Sequence, residues 1–334
     1  VKFGAVPLTD AEGAILAHSV KVGAGRLRKG LVLDAQHLAQ LAEAGLNDIV
    51  VARLEEGDLH EDEAARRLAQ ALVPDPKAAH LRLTDPFTGR VNLIADCEGV
   101  VVLDVPAIEA FNAIHPMITI ATVPQYQQME PGGMVATIKI ISYGVAERDV
   151  EAAAQAAEAA ISLAAPVMRT AGLVITDIPG GPSNEKGRRA IEDRITALGM
   201  EMAETRIVPH DLGALAEALQ ALDGDIALIL TGSATSDIDD IAPEAVRRAG
   251  GQVDRFGMPV DPGNLLFLGS QGARPVIGLP GCARSPALNG ADWVLSRVVC
   301  GIDVSGADIA AMGVGGLLKE IPSRPQPRAG RKAT

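Results

Sequence analysis

In the second half of the chain, short apolar runs alternate with segments of helical spacing. Leu173–Thr176, 202–208, Asp225–Thr231, Leu265–Gly269 and Pro275–Gly278 read as strands. Residues 185–198, stopped by Gly199, then Leu212–Leu222, Ala242–Ala249 and Ser285–Val299 read as helices. Repeated strand–helix alternation predicts a sheet covered by helices on both faces, an α/β architecture spanning residues 167–320.

The first half is patterned differently. Residues 1–75 predict a small α+β module. It holds a helix-like segment at Ala11–Ala17, a helix over Asp34–Ala44 ended by Gly45, a strand at Asp48–Ala52 and a polar-faced helix over 61–72. Pro74 and Pro76 mark 73–80 as a linker. Residues 81–147 predict a β-rich module with extended runs at Val91–Ile94, Val100–Leu103, Ile118–Thr122 and Met134–Ile141, interrupted by prolines and glycines. An alanine-rich stretch over 149–164 predicts a linking helix, assigned to 148–166. The basic segment 321–334, with Arg324, Arg328, Arg331 and Lys332, predicts a disordered tail.

Composition narrows the function. The chain has 334 residues, enough for about two domains at roughly 100–200 residues each. Hydrophobic residues make up 48% but aromatics only 2%, so Ala, Val, Leu and Ile must fill the cores. A net charge of −12 argues against general nucleic-acid binding, which needs a basic face. It does not oppose an anionic small molecule, because backbone N–H groups at loops and helix starts can hold phosphate. Three scattered cysteines without a CxxC spacing predict neither a zinc site nor a disulfide framework, and suit a reducing cytoplasm. No apolar run reaches the ~18 residues of a membrane span, and Val1–Pro7 lacks a signal-peptide pattern.

Candidate chemistry sits where strands run into glycine-containing turns. The first turn is Thr231-Gly232-Ser233-Ala234-Thr235-Ser236, leading to Asp240 before a helix. Ligands of open α/β sheets sit at the carboxyl ends of strands, where Gly232 admits close approach and the hydroxyls face phosphate. The second is Gly278-Leu279-Pro280-Gly281-Cys282-Ala283-Arg284-Ser285-Pro286. There Ser285 is expected as N-cap, Pro286 as the first helical residue, and Arg284 as a phosphate contact. Asp211, after Val208-Pro209-His210, and Ser183-Asn184 also stand at helix starts. The competing explanations are solvated-loop or capping aspartates in the first turn, a plain strand–helix connection in the second, and helix capping at Asp211 and Ser183-Asn184.

Taken in order, these motifs, with Met258-Pro259-Val260-Asp261-Pro262-Gly263, resemble the molybdopterin-binding domain. That domain is found in molybdopterin adenylyltransferases and molybdopterin molybdenumtransferases. The resemblance covers about residues 170–305. It extends to bacterial molybdopterin-binding proteins, some fused to a nucleotidyltransferase-like domain. It implies a three-layer α/β/α sandwich, with a smaller mixed α+β and β-rich N-terminal region. Molybdopterin would be the ligand or substrate. Ser183, Asn184, Thr231, Gly232, Ser233, Gly278, Pro280, Gly281, Arg284 and Ser285 would line its phosphate site. Asp211 and Asp240 match acidic positions assigned catalytic and metal roles, with Mg²⁺ bridging them to phosphate. Ser233 departs from the family's usual second glycine. Relatives imply a homo-oligomer, dimer or trimer, and partners such as a molybdenum cofactor nucleotidyltransferase or a molybdoenzyme.

Three functional readings follow from the resemblance. The leading one is a role in molybdenum cofactor biosynthesis: binding molybdopterin or its adenylylated form for molybdate insertion or cofactor transfer, as a transferase. The second is a non-catalytic carrier or sensor of the cofactor. The third is a nicotinamide-nucleotide or ADP-ribose hydrolase, because such families share this domain.

Overall fold

The computed structural model describes residues 1–318; the basic tail expected over 321–334 lies outside the described residues. The chain divides into two compact units. One comprises Val1–Cys97 with Val101–Leu163, the other Glu98–Val100 with the chain from Ala164 onward.

The first unit holds two cores. In the smaller, Lys2–Pro7 and Ile15–Leu16 flank Asp48–Arg53 in an antiparallel sheet. The helix Ala35–Glu43 covers it, started by a capping box between Asp34 and His37. Leu16, Leu33, Leu41 and Val51 fill the interior. The expected helix at Ala11–Ala17 is absent. A turn through Gly13, at φ +75°, delivers Ile15 to pair with Ala52 instead.

The larger core joins segments that the sequence pattern separated. An antiparallel sheet of Ile118–Thr122, Met134–Ile140, Arg90–Ala95 and Leu81–Leu83 shares its core with helices Glu61–Leu72, Val105–Ile114 and Glu147–Ala156. The helix over 61–72 was grouped with the N-terminal module. Its apolar face, Ala64, Ala65, Leu68 and Leu72, is buried in this second core. Val73 and Leu81 are buried there too, so 73–80 is a turn within one unit. The helix Val105–Ile114 went unread; Asp104 caps it and Pro106 lies in its first turn. The helix expected over 148–166 ends at Ala156, and Ile161–Ala164 is a strand.

The second unit is the expected three-layer sandwich. Numbering its elements within the unit, they are β1 (Thr170–Asp177), α1 (Asn184–Thr196), β2 (Glu201–Pro209), α2 (Leu212–Gln220), β3 (Ile226–Leu230), α3 (Ile241–Arg248), β4 (Gln252–Phe256), β5 (Phe267–Gln271), β6 (Arg274–Leu279), α4 (Gly290–Val299) and α5 (Gly306–Ala311). The sheet order is β2-β1-β3-β6-β5-β4. Its first four strands are parallel, while β5 and β4 run antiparallel. Apolar side chains leave both faces of the sheet. Leu173, Ile175, Leu228 and Ile277 pack under α1, α4 and α5. Val174, Ala227, Ile229 and Val276 pack under α2 and α3. Strands buried on both sides read as continuous apolar runs, which is why this half was legible.

The helix expected over Ser285–Val299 starts later. Gly281–Arg284 forms a single 3₁₀ turn, and α4 begins at Gly290 with Asn289 as its cap in a capping box with Asp292. Ser285 and Pro286 precede that helix rather than start it. The single tryptophan, Trp293, lies on α4 against the second unit's core. Both tyrosines, Tyr126 and Tyr143, lie in the first unit.

Candidate functional site

The register of the parallel strands brings the candidate turns together. Leu230 at the end of β3 pairs with Leu279 at the end of β6 and with Ile175 near the end of β1. Asp177 pairs with Pro209 at the end of β2. The segments after 177, 209, 230 and 279 therefore leave the same edge of one sheet, the carboxyl edge at which such folds bind ligands.

Arg284 ties these turns to each other. Its side chain is buried, with 9% of the residue exposed. Nη2 donates to the carbonyl of Thr231 at 3.0 Å, and Nη1 to that of Ser183 at 3.2 Å. Nε is buried without a hydrogen-bond partner. Burial pushes the guanidinium below its usual 12.5, and nearby Asp177 pulls the other way. The group stays cationic. A buried cation held by neutral carbonyls favours an anion close by. Room for this guanidinium comes from Gly187 on α1. A side-chain carbon there would sit 2.6 Å from Nη1 and 2.9 Å from Leu230. Gly187 was not singled out in the sequence; a glycine in mid-helix was its signal.

The first turn is fixed by a buried hydroxyl. The Gly232 N–H donates to Thr176 Oγ1 at 2.9 Å, and the same oxygen is 2.8 Å from His210 Nδ1. Thr176 is fully buried. A side chain at Gly232 would come within 2.6 Å of the Thr176 carbonyl, so only glycine lets the turn lie this close to β1. Thr231 is buried and its hydroxyl faces that of Thr235; Ser233 is exposed on the turn.

The second turn is clamped by Arg194 on α1, another residue the sequence did not reveal. It donates to the carbonyls of Ala283 (2.9 Å), Ser285 (2.7 Å) and Ala287 (3.1 Å), and pairs with Asp292 at 2.6 Å. Gly281 is exposed, with open space where a side chain would be. Pro280 is buried. The missing side chain of Gly278 is accounted for by packing, since Phe267 lies against that position. Burial raises the Cys282 thiol above its usual range, so it is a poor thiolate.

The aspartates expected to act on phosphate work as caps. Asp211 accepts from the N–H groups of Gly213 (2.9 Å) and Ala214 (3.0 Å) at the start of α2. Asp240 accepts from Ile241 (2.7 Å) and Ser236 (2.9 Å) at the start of α3. Ser183 caps α1 through the Lys186 N–H, and Asn184 donates to Asp177 at 2.7 Å while its own carbonyl oxygen is buried without a partner. Among the described residues, no group of three or more His, Cys, Asp or Glu side chains is arranged to hold a metal. No described helix is long and apolar enough to cross a membrane.

With this geometry in view, residues 176–296 match the family described as "Probable molybdopterin binding domain". The second unit carries a domain of this family. The matched span opens at Thr176, encloses all four turns and ends within α4. The molybdopterin-binding domain thus coincides with the sheet edge organised by Thr176, Arg194 and Arg284. Residues 5–53 match a family described as "Domain of unknown function (DUF8806)", which covers the smaller core of the first unit. No curated protein matches the chain. Two of the similar solved structures bear related descriptions. One is a molybdopterin biosynthesis moea protein from Pyrococcus horikosii, at 14% identity and TM-score 0.32, with 90% of this chain and 75% of that one covered. The other is a molybdenum cofactor biosynthesis protein from Pyrococcus furiosus, at 13% identity and TM-score 0.24, with 91% of this chain and 66% of that one covered. At these scores the two structures add nothing to the family match.

Proposed function

We propose that the molybdopterin-binding domain holds molybdopterin or its adenylylated form by the phosphate, at the carboxyl edge of the sheet, in molybdenum cofactor biosynthesis. The observation that carries this reading is Arg284: a buried cation that forms no ion pair among the described residues, between the turns after β1, β3 and β6. Its unpartnered Nε and the unpartnered oxygen of Asn184 offer a donor and an acceptor to a bound molecule. Exposed Gly281 leaves the second turn open to a ligand, and Ser233 and Ser285 supply hydroxyls at the rim. Burying phosphate beside a fixed guanidinium gives charge-assisted hydrogen bonds stronger than neutral ones.

The residues fit the ligand better than they fit a metal-dependent reaction. Asp211 and Asp240 would be the groups to share Mg²⁺ with phosphate and water oxygens; Asp240 accepts backbone N–H groups through both carboxylate oxygens, and Asp211 accepts two through Oδ1. That favours a second reading, a carrier that passes the cofactor on without turnover. Isothermal titration with molybdopterin tests the binding claim, and absence of binding in the micromolar range would overturn it. Incubation with molybdopterin, ATP, molybdate and Mg²⁺ separates the readings, because product formation identifies a transferase and tight binding without product identifies a carrier.

A further inference from the structure

A two-residue turn in the first unit closes the hairpin that leads into the strand Arg90–Ala95. Phe87 and Arg90 exchange both backbone hydrogen bonds, at 3.0 and 3.2 Å. Between them Thr88 and Gly89 both have positive φ, +49° and +69°, the signs of a type I′ turn. Glycine adopts this freely, whereas a β-branched threonine is strained in it. Neighbouring groups hold the turn in place. The Gly89 N–H donates to Asp62 at 2.7 Å, the Gly89 carbonyl accepts from the Ile140 N–H, and Lys139 donates to the Thr88 carbonyl.

The turn aims its flanking side chains at the face of the sheet opposite the core. Val91 and Leu93 are buried in the core, so alternation puts Arg90 and Asn92 on the opposite face. Phe87, paired with Arg90, joins them. Ile138 and Ile140 are likewise in the core, which puts Thr137 and Lys139 on that face, with Thr137 directly across from Asn92. Each group there lacks a partner. Phe87 is 76% exposed. Arg90 is exposed, and its side chain makes no ion pair or hydrogen bond among the described residues. Asn92 Oδ1 and Thr137 Oγ1 are buried and have no hydrogen-bond partner.

We propose that this face binds an adenine nucleotide, with the base stacked on Phe87, its amine donating to Asn92 and Thr137, and its phosphate on Arg90. Aromatic side chains on an open four-stranded sheet are suited to stacking bases. Side chains stand roughly perpendicular to a sheet, so a base lying along the Phe87 ring meets the sheet edge-on. Entering that way, a flat ring can reach oxygens buried between neighbouring side chains. The exocyclic amine of adenine carries two hydrogens, one for each oxygen, and buried polar atoms are rarely left unpaired. A carboxamide such as that of Asn92 is the side chain that matches this edge of adenine. Guanine would set a carbonyl there, oxygen against oxygen. The guanidinium fork of Arg90 suits phosphate. All of these groups belong to the first unit, so the site does not depend on Arg284.

Isothermal titration of the full chain with AMP tests this. Saturable binding with a dissociation constant below about 1 mM is expected. Phe87→Ala should weaken it about fivefold or more through lost stacking. Arg90→Ala should weaken it about tenfold or more through the lost charged contact. Both residues are exposed, so each variant should keep the circular dichroism of the parent. Purine riboside 5′-monophosphate, which lacks the amine, should bind the parent about fivefold more weakly than AMP. Arg284→Ala should bind AMP as the parent does, which separates this site from the one in the second unit. Absence of AMP binding by the parent overturns the proposal. So does an affinity that survives Phe87→Ala and Arg90→Ala, that ignores the missing amine, or that disappears with Arg284→Ala.

Discussion

The guanidinium of Arg284 occupies the space a side chain on Gly187 would need, 2.6 Å from where that carbon would sit. Helix α1 and the turn after β6 are thus fitted to each other at one missing methyl group. Gly187→Ala improves helix propensity by about 1 kcal/mol yet overpacks a buried contact, which costs roughly 1–3 kcal/mol. The expected outcome is a protein no more stable than its parent, with weaker binding of molybdopterin as Arg284 is displaced. Thermal denaturation alongside isothermal titration checks both halves.

Removing the guanidinium goes further. Arg284→Ala leaves the buried carbonyl of Thr231 without this donor, at about 1–3 kcal/mol, while the Ser183 carbonyl still accepts from the Gly187 N–H. Molybdopterin affinity should fall at least tenfold. Arg284→Lys keeps the charge but cannot reach both carbonyls as the fork does, and should recover binding only in part. Full affinity in Arg284→Ala would show that the anion sits elsewhere.

Thr176 supplies the most specific test of the first turn. Thr176→Val preserves shape and deletes the hydroxyl that the Gly232 N–H donates to. A loss of about 1–3 kcal/mol is expected, with faster hydrogen exchange at the Gly232 amide. Thr176→Ser should retain the parent behaviour. Equal exchange in Thr176→Val and the parent would mean that the turn is held by something other than this hydroxyl.

The first unit makes a pH prediction. Glu61 is buried, and its carboxyl is raised above 4.5, chiefly by burial; Lys139, His60 and Lys29 lower it in part, and Asp62 adds to the rise. A raised acid is favoured in its protonated form by the fold. Its contribution to stability is complete below about pH 4.5 and is lost as pH climbs through the raised value. Glu61→Gln should therefore stabilise the chain at neutral pH and have little effect in acid. Denaturant unfolding at several pH values measures this, and a variant less stable than the parent at neutral pH contradicts it.

Much of the second unit was readable because its strands are buried on both faces and its helices begin at strong caps. Asp211 and Asp240 were legible as caps from position alone. Two of the four turns were found by their glycines and two as helix starts, and pairing of Leu230 with Leu279 puts the glycine-containing two side by side. What stayed hidden depends on contacts distant in sequence. Arg194 reaches residues 283–292, Gly187 accommodates residue 284, and Thr176 meets residue 232. The start of α4 was misplaced because Ser285-Pro286 carries a cap signature, while the Asn289–Asp292 capping box supplies a stronger one four residues on. In the first unit, alternation identified the strands but not their partners. The helix over 61–72 was grouped by proximity in sequence, although its apolar face shares a core with strands as distant as Met134–Ile140.

Tryptophan and tyrosine are divided between the two units. All tryptophan emission must come from Trp293 on α4, next to the Asp292 that anchors Arg194. All tyrosine signal must come from Tyr126 and Tyr143. The chain thus carries a separate optical label in each half, and tryptophan and tyrosine emission, each read in its own band, can tell which half melts first.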